Sequence, residues 1–194
     1  MAELHAIIFD CDGTLADTMP SHYEAWIEVL TRYELEMSED RFYALGGWPT
    51  RKVAELLARE AGRTVDIDQL ADEKESLFEK YVHLVQPIGP VLNVVETHRG
   101  KLPMAVATGA VLPVCQRILH QIGLHESFDT IVSADDVERH KPAPDVFLEA
   151  ARRLGVAPEL CRVYEDTDPG IEAARRAGME PVDVREFYTP RRVT

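Results

Sequence analysis

Residues 6–15 read AIIFDCDGTL, and this stretch decides the fold class. The apolar run Ala6–Phe9 is short and partly β-branched, which is typical of a buried strand, and it stops at a polar turn that contains Gly13. Side chains two apart on a strand leave the same face, so Asp10 and Asp12 project together while Cys11 points the other way. The sequence therefore predicts two neighbouring carboxylates at the end of one buried strand.

Short apolar runs and helical patterns alternate along much of the remaining chain. Prolines near the start and glycines just past the end mark the helical patterns. Strands that alternate with helices predict an α/β fold, a Rossmann-like parallel sheet with helices on both faces. Further strands are predicted at 104–107, 130–134, 162–164 and 181–184, and helices at 113–122, 144–154 and 169–177.

Residues 16–87 break this alternation. They hold amphipathic helical patterns at 20–33, 50–61 and 68–85 and no convincing strand. Thr50 is a candidate N-cap of the second pattern. Proline-containing segments flank the region and resemble hinges. The sequence thus predicts an α-helical domain at 16–87, inserted into a core formed by 1–15 and 88–194.

Composition limits the possible partners. The 194 residues carry 21 Lys+Arg and 34 Asp+Glu, a formal net charge of −13. This disfavours nucleic acid and anionic membranes, which need clustered positive charge, but a bound cation still permits a small anionic substrate. No apolar run approaches the ~18 residues of a membrane span, and no signal peptide is expected. Three scattered cysteines, Cys11, Cys115 and Cys161, favour a reducing, cytoplasmic compartment over a disulfide framework or a zinc site.

The paired carboxylates Asp10 and Asp12 suit a hard divalent cation such as Mg²⁺. They also suit divided acid and base roles, because like charges push two pKa values apart. An acidic turn that caps a helix is the alternative. An EF-hand loop is excluded, because it needs Gly and Glu where this sequence has Leu15 and Ser21.

Two further polar segments follow predicted strands or precede a helix. Thr108 and Gly109 offer a hydroxyl and accessible N–H groups that can hold a phosphate oxygen, although an ordinary turn is the alternative. Lys141 lies between His140 and Pro142 on a loop that prolines hold extended, so it can act as a fixed positive charge. A solvated surface lysine is the alternative there.

A last acidic pair, Glu165 and Asp166, ends another predicted strand and could complete a metal site. Helix capping by Asp168 before Pro169 is expected beside it. Carboxyl ends of strands in an open α/β sheet converge on one crevice. Acids, a lysine, a threonine and a glycine gathered there are the equipment for metal-assisted phosphoryl transfer.

These segments resemble the four ordered motifs of the haloacid dehalogenase (HAD) superfamily. The resemblance spans 6–184 and rests on residues 10–15, Thr108, Lys141 and Glu165-Asp166, and the helical insert resembles a C1-type cap. The chain is most similar to the β-phosphoglucomutase branch, especially its short fructose 1-phosphate and 6-phosphogluconate phosphatases. The segments that carry this closer similarity are 17–18 with His22, 47–50, 140–145 and 165–179.

The resemblance implies roles in catalysis and in metal binding. Asp10 would be the nucleophile that forms an aspartyl-phosphate. Asp12 would be the general acid for the leaving alcohol and then the general base for water. The Asp10 carboxylate, the Asp12 backbone carbonyl and Asp166 would hold Mg²⁺, and Glu165 would orient a metal-bound water.

The resemblance also implies substrate contacts. Thr108, the Gly109 N–H and Lys141 would bind the phosphoryl group. In the insert, His22 and Lys74 match cap residues that face the active site, and a solvent-facing helix position is the alternative for both.

At one position the sequence departs from the mutases of this branch. They carry an arginine that grips a second phosphate group, whereas this sequence has Thr50. This departure favours a phosphatase over an isomerase.

We therefore expect a Mg²⁺-dependent phosphatase that acts on small sugar phosphates and is a monomer or weak dimer. A β-phosphoglucomutase-type isomerase is the alternative. Dehalogenation is disfavoured because superfamily dehalogenases lack the second acid of the first motif, which is Asp12 here. A non-catalytic binding domain is disfavoured because every expected catalytic group is present.

Overall fold

The computed structural model describes residues 3–46 and 48–193. Gly47 and the outermost residues 1–2 and 194, which the predictions included, lie outside this part. The strands are β1 (Ala6–Phe9), β2 (Ala16–Asp17), β3 (Gln86–Pro87), β4 (Met104–Ala107), β5 (Thr130–Val132), β6 (Cys161–Glu165) and β7 (Glu180–Asp183). The helices are α1 (Met19–Arg32), α2 (Glu39–Ala44), α3 (Thr50–Glu60), α4 (Ile67–Tyr81), α5 (Gly89–His98), α6 (Leu112–Gln121), α7 (Asp145–Leu154) and α8 (Asp168–Arg176).

Five strands form one parallel sheet in the order β5-β4-β1-β6-β7. Strand β1 is central, with Phe9 level with Val106 of β4 and with Tyr164 of β6. The predicted α/β class with a parallel sheet is confirmed. Because the strands are parallel, the loops that follow β1, β4 and β6 emerge at the same edge of the sheet.

The sheet is stable because its central strands are apolar on both faces. All four residues of β1 are buried. Ala6 and Ile8 belong to the cluster that packs under α7 and α8, where Phe147 is fully buried. Phe9 stacks on Tyr164 with ring centroids 5.2 Å apart. This packing makes β1 a rigid base for the residues that follow it.

The helical unit, described by itself, comprises α1 to α4. Its core contains Trp26, Leu30, Phe42, Leu57 and Leu70, which pack the four helices together. The predicted helices at 20–33, 50–61 and 68–85 correspond to α1, α3 and α4. The third prediction extends too far, because α4 ends at Tyr81 and a single 3-10 turn follows.

Two expectations about local structure were wrong. Thr50 does not cap α3, because Pro49 holds the cap position and Thr50 is already the first helical residue. The region 16–87 is not free of strands, since Ala16–Asp17 pairs antiparallel with Gln86–Pro87.

The chain divides into a sheet unit and a helical unit. The sheet unit continues to Asp17 and resumes at Gln86–Pro190, and the helical unit contains Thr18–Val85 together with the segment that starts at Arg191. Within the helical unit, Arg192 pairs with Asp40, and the Val193 N–H donates to Glu39. No helix in the described part of the chain is long and apolar enough to cross a membrane.

Candidate active site

The turn after β1 presents Asp10 and Asp12. Asp10 is 6% exposed, and its N–H donates to the Tyr164 carbonyl at 3.0 Å. The Cys11 carbonyl accepts from three N–H groups later in the turn, and Gly13 adopts a φ of +82°, which favours glycine. The turn thereby holds Asp10 buried at the strand end and leaves Asp12 partly exposed.

Lys141 connects two of the acids. Its Nζ lies 2.6 Å from Asp10 Oδ1 and 2.9 Å from Glu165 Oε1, and it also donates to the Ala107 carbonyl at 3.2 Å. Burial acts to lower the pKa of Lys141, but the charges of Asp10 and Glu165 and their hydrogen bonds raise it above its ordinary value. Lys141 is therefore a permanently charged ammonium within a buried acidic cluster.

Asp166 extends this cluster on the side of Asp12. Thr14 Oγ1 donates to Asp166 Oδ1 at 3.0 Å. Burial, followed by the charge of Glu165 and a smaller effect of Asp12, raises the pKa of Asp166 to about 7. Burial also raises the pKa of Asp10 well above its usual range, with Lys141 opposing and both Glu165 and Asp166 adding to the shift. One ammonium therefore does not balance the negative charge gathered here.

Glycines make room for two of these carboxylates. A Cβ at Gly13 would overlap the carboxylate of Asp166, and a Cβ at Gly170 would overlap that of Glu165. A side chain at either glycine position would therefore occupy the space that the carboxylate now takes.

Glu165 is 1% exposed and is held by the start of α8. The Thr167 N–H and hydroxyl donate to Glu165 Oε2 at 2.5 and 2.9 Å, and Thr167 Oγ1 accepts from the Gly170 N–H at 3.1 Å. Thr167 is therefore the N-cap of α8, and the expectation that Asp168 caps this helix was wrong. Asp168 is instead the first helical residue and pairs with Arg185 at 2.7 Å.

Thr108 and Gly109 follow β4, which lies beside β1 in the sheet. Thr108 is buried, its N–H donates to the Val132 carbonyl, and its Oγ1 accepts from the Ala110 N–H at 3.0 Å. Gly109 is exposed. A buried hydroxyl and an exposed backbone N–H thus lie at the same sheet edge as Asp10.

The helical unit contains its own polar cluster, built on Lys74. This lysine is 3% exposed, and its Nζ lies 3.0 Å from His22 Nδ1 and 3.2 Å from Glu75 Oε1. The Nζ lies 5.9 Å from the ring centroids of both Trp26 and Phe78, within the range of cation–π attraction. The structure therefore brings His22 and Lys74 together in an aromatic setting.

Thr50 joins this cluster through Glu75, a residue that the sequence reasoning missed. Thr50 Oγ1 donates to Glu75 Oε1 at 2.6 Å. Burial acts to raise the pKa of Glu75, but the charge of Lys74 and the hydrogen bond from Thr50 outweigh it and lower that pKa. In the sequence, Glu75 is indicated only by its position next to Lys74. Neighbouring Lys and Glu residues are common on exposed surfaces, so this pair does not indicate a site.

Similarity to known proteins agrees with this geometry. Residues 7–184 match the family model of the haloacid dehalogenase-like hydrolases. The chain belongs to the haloacid dehalogenase-like hydrolase family. This HAD-like chain is 44% identical over 180 residues to fructose-1-phosphate phosphatase YqaB of Escherichia coli (strain K12), covering 92% of this chain and 95% of that protein.

Two more distant proteins extend the comparison. A phosphorylated carbohydrates phosphatase of Thermotoga maritima is 31% identical over 185 residues, covering 92% of this HAD-like chain and 84% of that protein. The crystal structure of β-phosphoglucomutase from Clostridium difficile superposes with a TM-score of 0.77 at 22% identity, covering 93% and 84% of the two chains, and it supports the fold alone. The predicted family and the predicted enzyme class, a phosphatase that hydrolyses phosphate esters, are confirmed.

A metal ion at this site would not be held by side chains alone. Within residues 3–46 and 48–193, no group of three or more His, Cys, Asp or Glu side chains is arranged to hold a metal ion. The donor set that the family resemblance implies contains only two carboxylates and one backbone carbonyl, so it does not require such a group.

Proposed function

We propose that this chain is a Mg²⁺-dependent phosphatase of small sugar phosphates, with fructose 1-phosphate as the first substrate to test. The observation that carries the proposal is the buried contact of 2.6 Å between Lys141 Nζ and Asp10 Oδ1 at the end of the central strand. It pairs a carboxylate with a fixed positive charge, as phosphoryl transfer requires. The substrate class is supported by the similarity to the Escherichia coli fructose-1-phosphate phosphatase.

In the proposed reaction, Asp10 attacks phosphorus while the bond from phosphorus to the sugar oxygen breaks. Asp12 gives its proton to the departing oxygen, so the sugar leaves as an alcohol. Asp12 then takes a proton from water, the water oxygen attacks the aspartyl-phosphate, and phosphate and free Asp10 result. The partly exposed position of Asp12 supports this role, because it must reach both the alcohol and water.

Lys141, Thr108 and the Gly109 N–H bind the phosphoryl oxygens in this proposal. The raised pKa of Lys141 keeps it charged, so it can stabilise negative charge without a proton transfer. Burial of Lys141 and Thr108 strengthens each hydrogen bond, because the local dielectric is low.

The acids fit a divalent cation. Asp10, Glu165 and Asp166 face one ammonium, and their repulsion contributes to the raised pKa values of Asp10 and Asp166. The carboxylates of Asp10 and Asp166 and the backbone carbonyl of Asp12 would hold Mg²⁺, which prefers oxygen ligands. When bound, it supplies positive charge that neutralises the phosphoryl oxygens. Glu165 orients the cluster through Lys141.

We further propose that the helical unit is a cap that selects the substrate through His22, Lys74 and Thr50. The ion pair between Lys74 and Glu75 has no net formal charge, and Thr50 donates to the acid. Such a cluster suits the hydroxyl groups of a sugar better than a second phosphate. This supports a phosphatase over the alternative, a β-phosphoglucomutase-type isomerase.

Two measurements test the proposed function. Purified protein incubated with fructose 1-phosphate and Mg²⁺ should release inorganic phosphate, and EDTA should abolish the release. With β-glucose 1-phosphate, ³¹P NMR should show phosphate, whereas accumulation of glucose 6-phosphate would establish the isomerase instead.

The three cysteines are free and buried, which supports the proposed cytoplasmic location. For the oligomeric state, a monomer or weak dimer remains our prediction.

A further inference from the structure

Thr167 contacts the acidic cluster through Glu165 and takes no part in the proposed bond-making and bond-breaking steps. We propose that Thr167 is a positioning residue, which orients Glu165 so that Lys141 keeps its position against Asp10. The inference rests on the proposed function, because this position matters only if Asp10 attacks phosphorus. Its evidence is a chain of hydrogen bonds that leads from α8 to Asp10.

The two oxygens of Glu165 have separate partners. Oε2 accepts from the Thr167 N–H and hydroxyl, at 2.5 and 2.9 Å. Oε1 accepts from Lys141 Nζ at 2.9 Å, and the same Nζ donates to Asp10 Oδ1 at 2.6 Å. The orientation that Thr167 gives to one oxygen therefore fixes where the other oxygen meets Lys141.

The surroundings leave Glu165 little other freedom. Its side chain is 1% exposed, and Gly170 forms the wall against which its carboxylate lies. Gly170 also donates its N–H to Thr167 Oγ1, which orients the hydroxyl proton toward Glu165. Two hydrogen bonds to the same hydroxyl, one accepted and one donated, thus define the Thr167 rotamer.

A purely structural role for Thr167, as N-cap of α8, can be separated from positioning. Capping needs only a side-chain oxygen that accepts, whereas positioning needs a hydroxyl that donates. Serine does both, aspartate only accepts, and valine does neither. The variants Thr167→Ser, Thr167→Asp and Thr167→Val therefore form a graded series.

We expect Thr167→Ser to keep kcat within about 3-fold of the wild type. Thr167→Val should lower kcat about 10-fold, and Thr167→Asp about 10²-fold, with KM for fructose 1-phosphate changed less than about 3-fold, because small misplacement of reacting groups costs rate. Thr167→Asp should keep its Tm within about 2 °C of the wild type, because the helix stays capped.

Asp66→Ala is the matched control, since Asp66 caps α4 in the helical unit and its side chain accepts from the Gln69 N–H. It should lower Tm by about 2–4 °C and leave kcat unchanged. A wild-type kcat in both Thr167→Val and Thr167→Asp would overturn the proposal, as would a loss of rate that tracks Tm across all variants.

A second measurement does not depend on activity. The side-chain ¹⁵Nζ resonance of Lys141 reports on its carboxylate partners. It should match the wild type in Thr167→Ser and shift in Thr167→Asp, and an unshifted resonance in Thr167→Asp would overturn the proposal. Absence of phosphate release by the wild-type protein would instead overturn the proposed function, so the two failures are distinguishable.

Discussion

Lys141 Nζ lies 2.6 Å from Asp10 Oδ1, although 131 positions separate the two residues in the sequence. Neither is exposed enough for water to replace the contact, with 12% and 8% of the side chains accessible. A buried ion pair that loses one partner leaves an uncompensated charge. Loss of either residue should therefore destabilise the site and also remove a group that the proposed reaction uses.

Replacing Lys141 by Met should lower kcat/KM for fructose 1-phosphate by about 10²–10³-fold. Methionine has a similar shape but cannot stabilise charge on the phosphoryl group, and loss of one such donor has about this effect in other enzymes. Steady-state phosphate release measures the change. Lys101→Met is the control, because Lys101 is exposed and its Nζ donates to the Thr97 carbonyl. Equal rates for Lys141→Met and the wild type would remove Lys141 from the mechanism.

Replacing Gly170 by Ala should lower both kcat and Tm. The new Cβ would occupy the space of the Glu165 carboxylate, which must then move away from Lys141. Kinetics and thermal unfolding measure the two effects. Gly89→Ala is the control, since Gly89 is the first residue of α5, has no positive φ, and a Cβ there would meet nothing within 4 Å. A Gly170→Ala enzyme as active as Gly89→Ala would mean that the position of Glu165 does not matter.

Millimolar Mg²⁺ should raise the Tm of the protein relative to EDTA. A ligand that binds only the folded state stabilises it by mass action, by about 2.7 kcal/mol at a concentration of 100 Kd. Asp166→Asn should reduce this gain, because it replaces a proposed carboxylate ligand by a neutral amide and so removes one of the repelling charges. Asp68→Asn, on an exposed helix position, should keep the full gain. A gain that is unchanged in Asp166→Asn would contradict the proposed donor set.

The helical unit should lose stability in acid through Glu28. Hydrogen bonds from Lys80, Tyr81 and Arg32 lower the pKa of Glu28 to about 2. A carboxyl group whose folded-state pKa is lowered stabilises the fold above its unfolded-state value of about 4.3, and this contribution is lost as pH falls from there toward 2.

Chemical unfolding at a series of pH values measures this contribution. Glu28→Gln should be less stable than the wild type at pH 7, and the difference should shrink as pH falls from about 4.3 and disappear only below the folded-state pKa of about 2. Glu24→Gln, on the same helix, provides the comparison. A difference between Glu28→Gln and wild type that stays constant from pH 7 to pH 2 would contradict this account.

The sheet and the acidic turn could be predicted because short-range patterns specify them. The apolar run before Asp10 predicted the central strand, and the prolines and glycines predicted the ends of the helices around it. The ends of β5, β6 and β7 differed by one or two residues from the prediction. Strand β5 stops at Val132 because Ser133 and Asp136 cap each other and start a 3-10 turn.

Other features depend on contacts between distant residues and were not predictable from one sequence. Strands β2 and β3 have two residues each and exist only because they pair with each other. The contact of Glu75 with Thr50 forms only because α3 and α4 pack together, so the sequence alone did not indicate it. Thr167 and Asp168 are both good capping residues, and only the extended backbone at Thr167 decides between them.

The most direct test of the central claim is phosphate release from fructose 1-phosphate by Asp10→Asn, with Mg²⁺ present and the wild type measured beside it. Asparagine preserves the shape of Asp10 but cannot form the aspartyl-phosphate. We predict that kcat/KM falls by more than about 10⁴-fold while the variant remains folded. Activity of Asp10→Asn within about 10-fold of the wild type would contradict the assignment of Asp10 as the nucleophile.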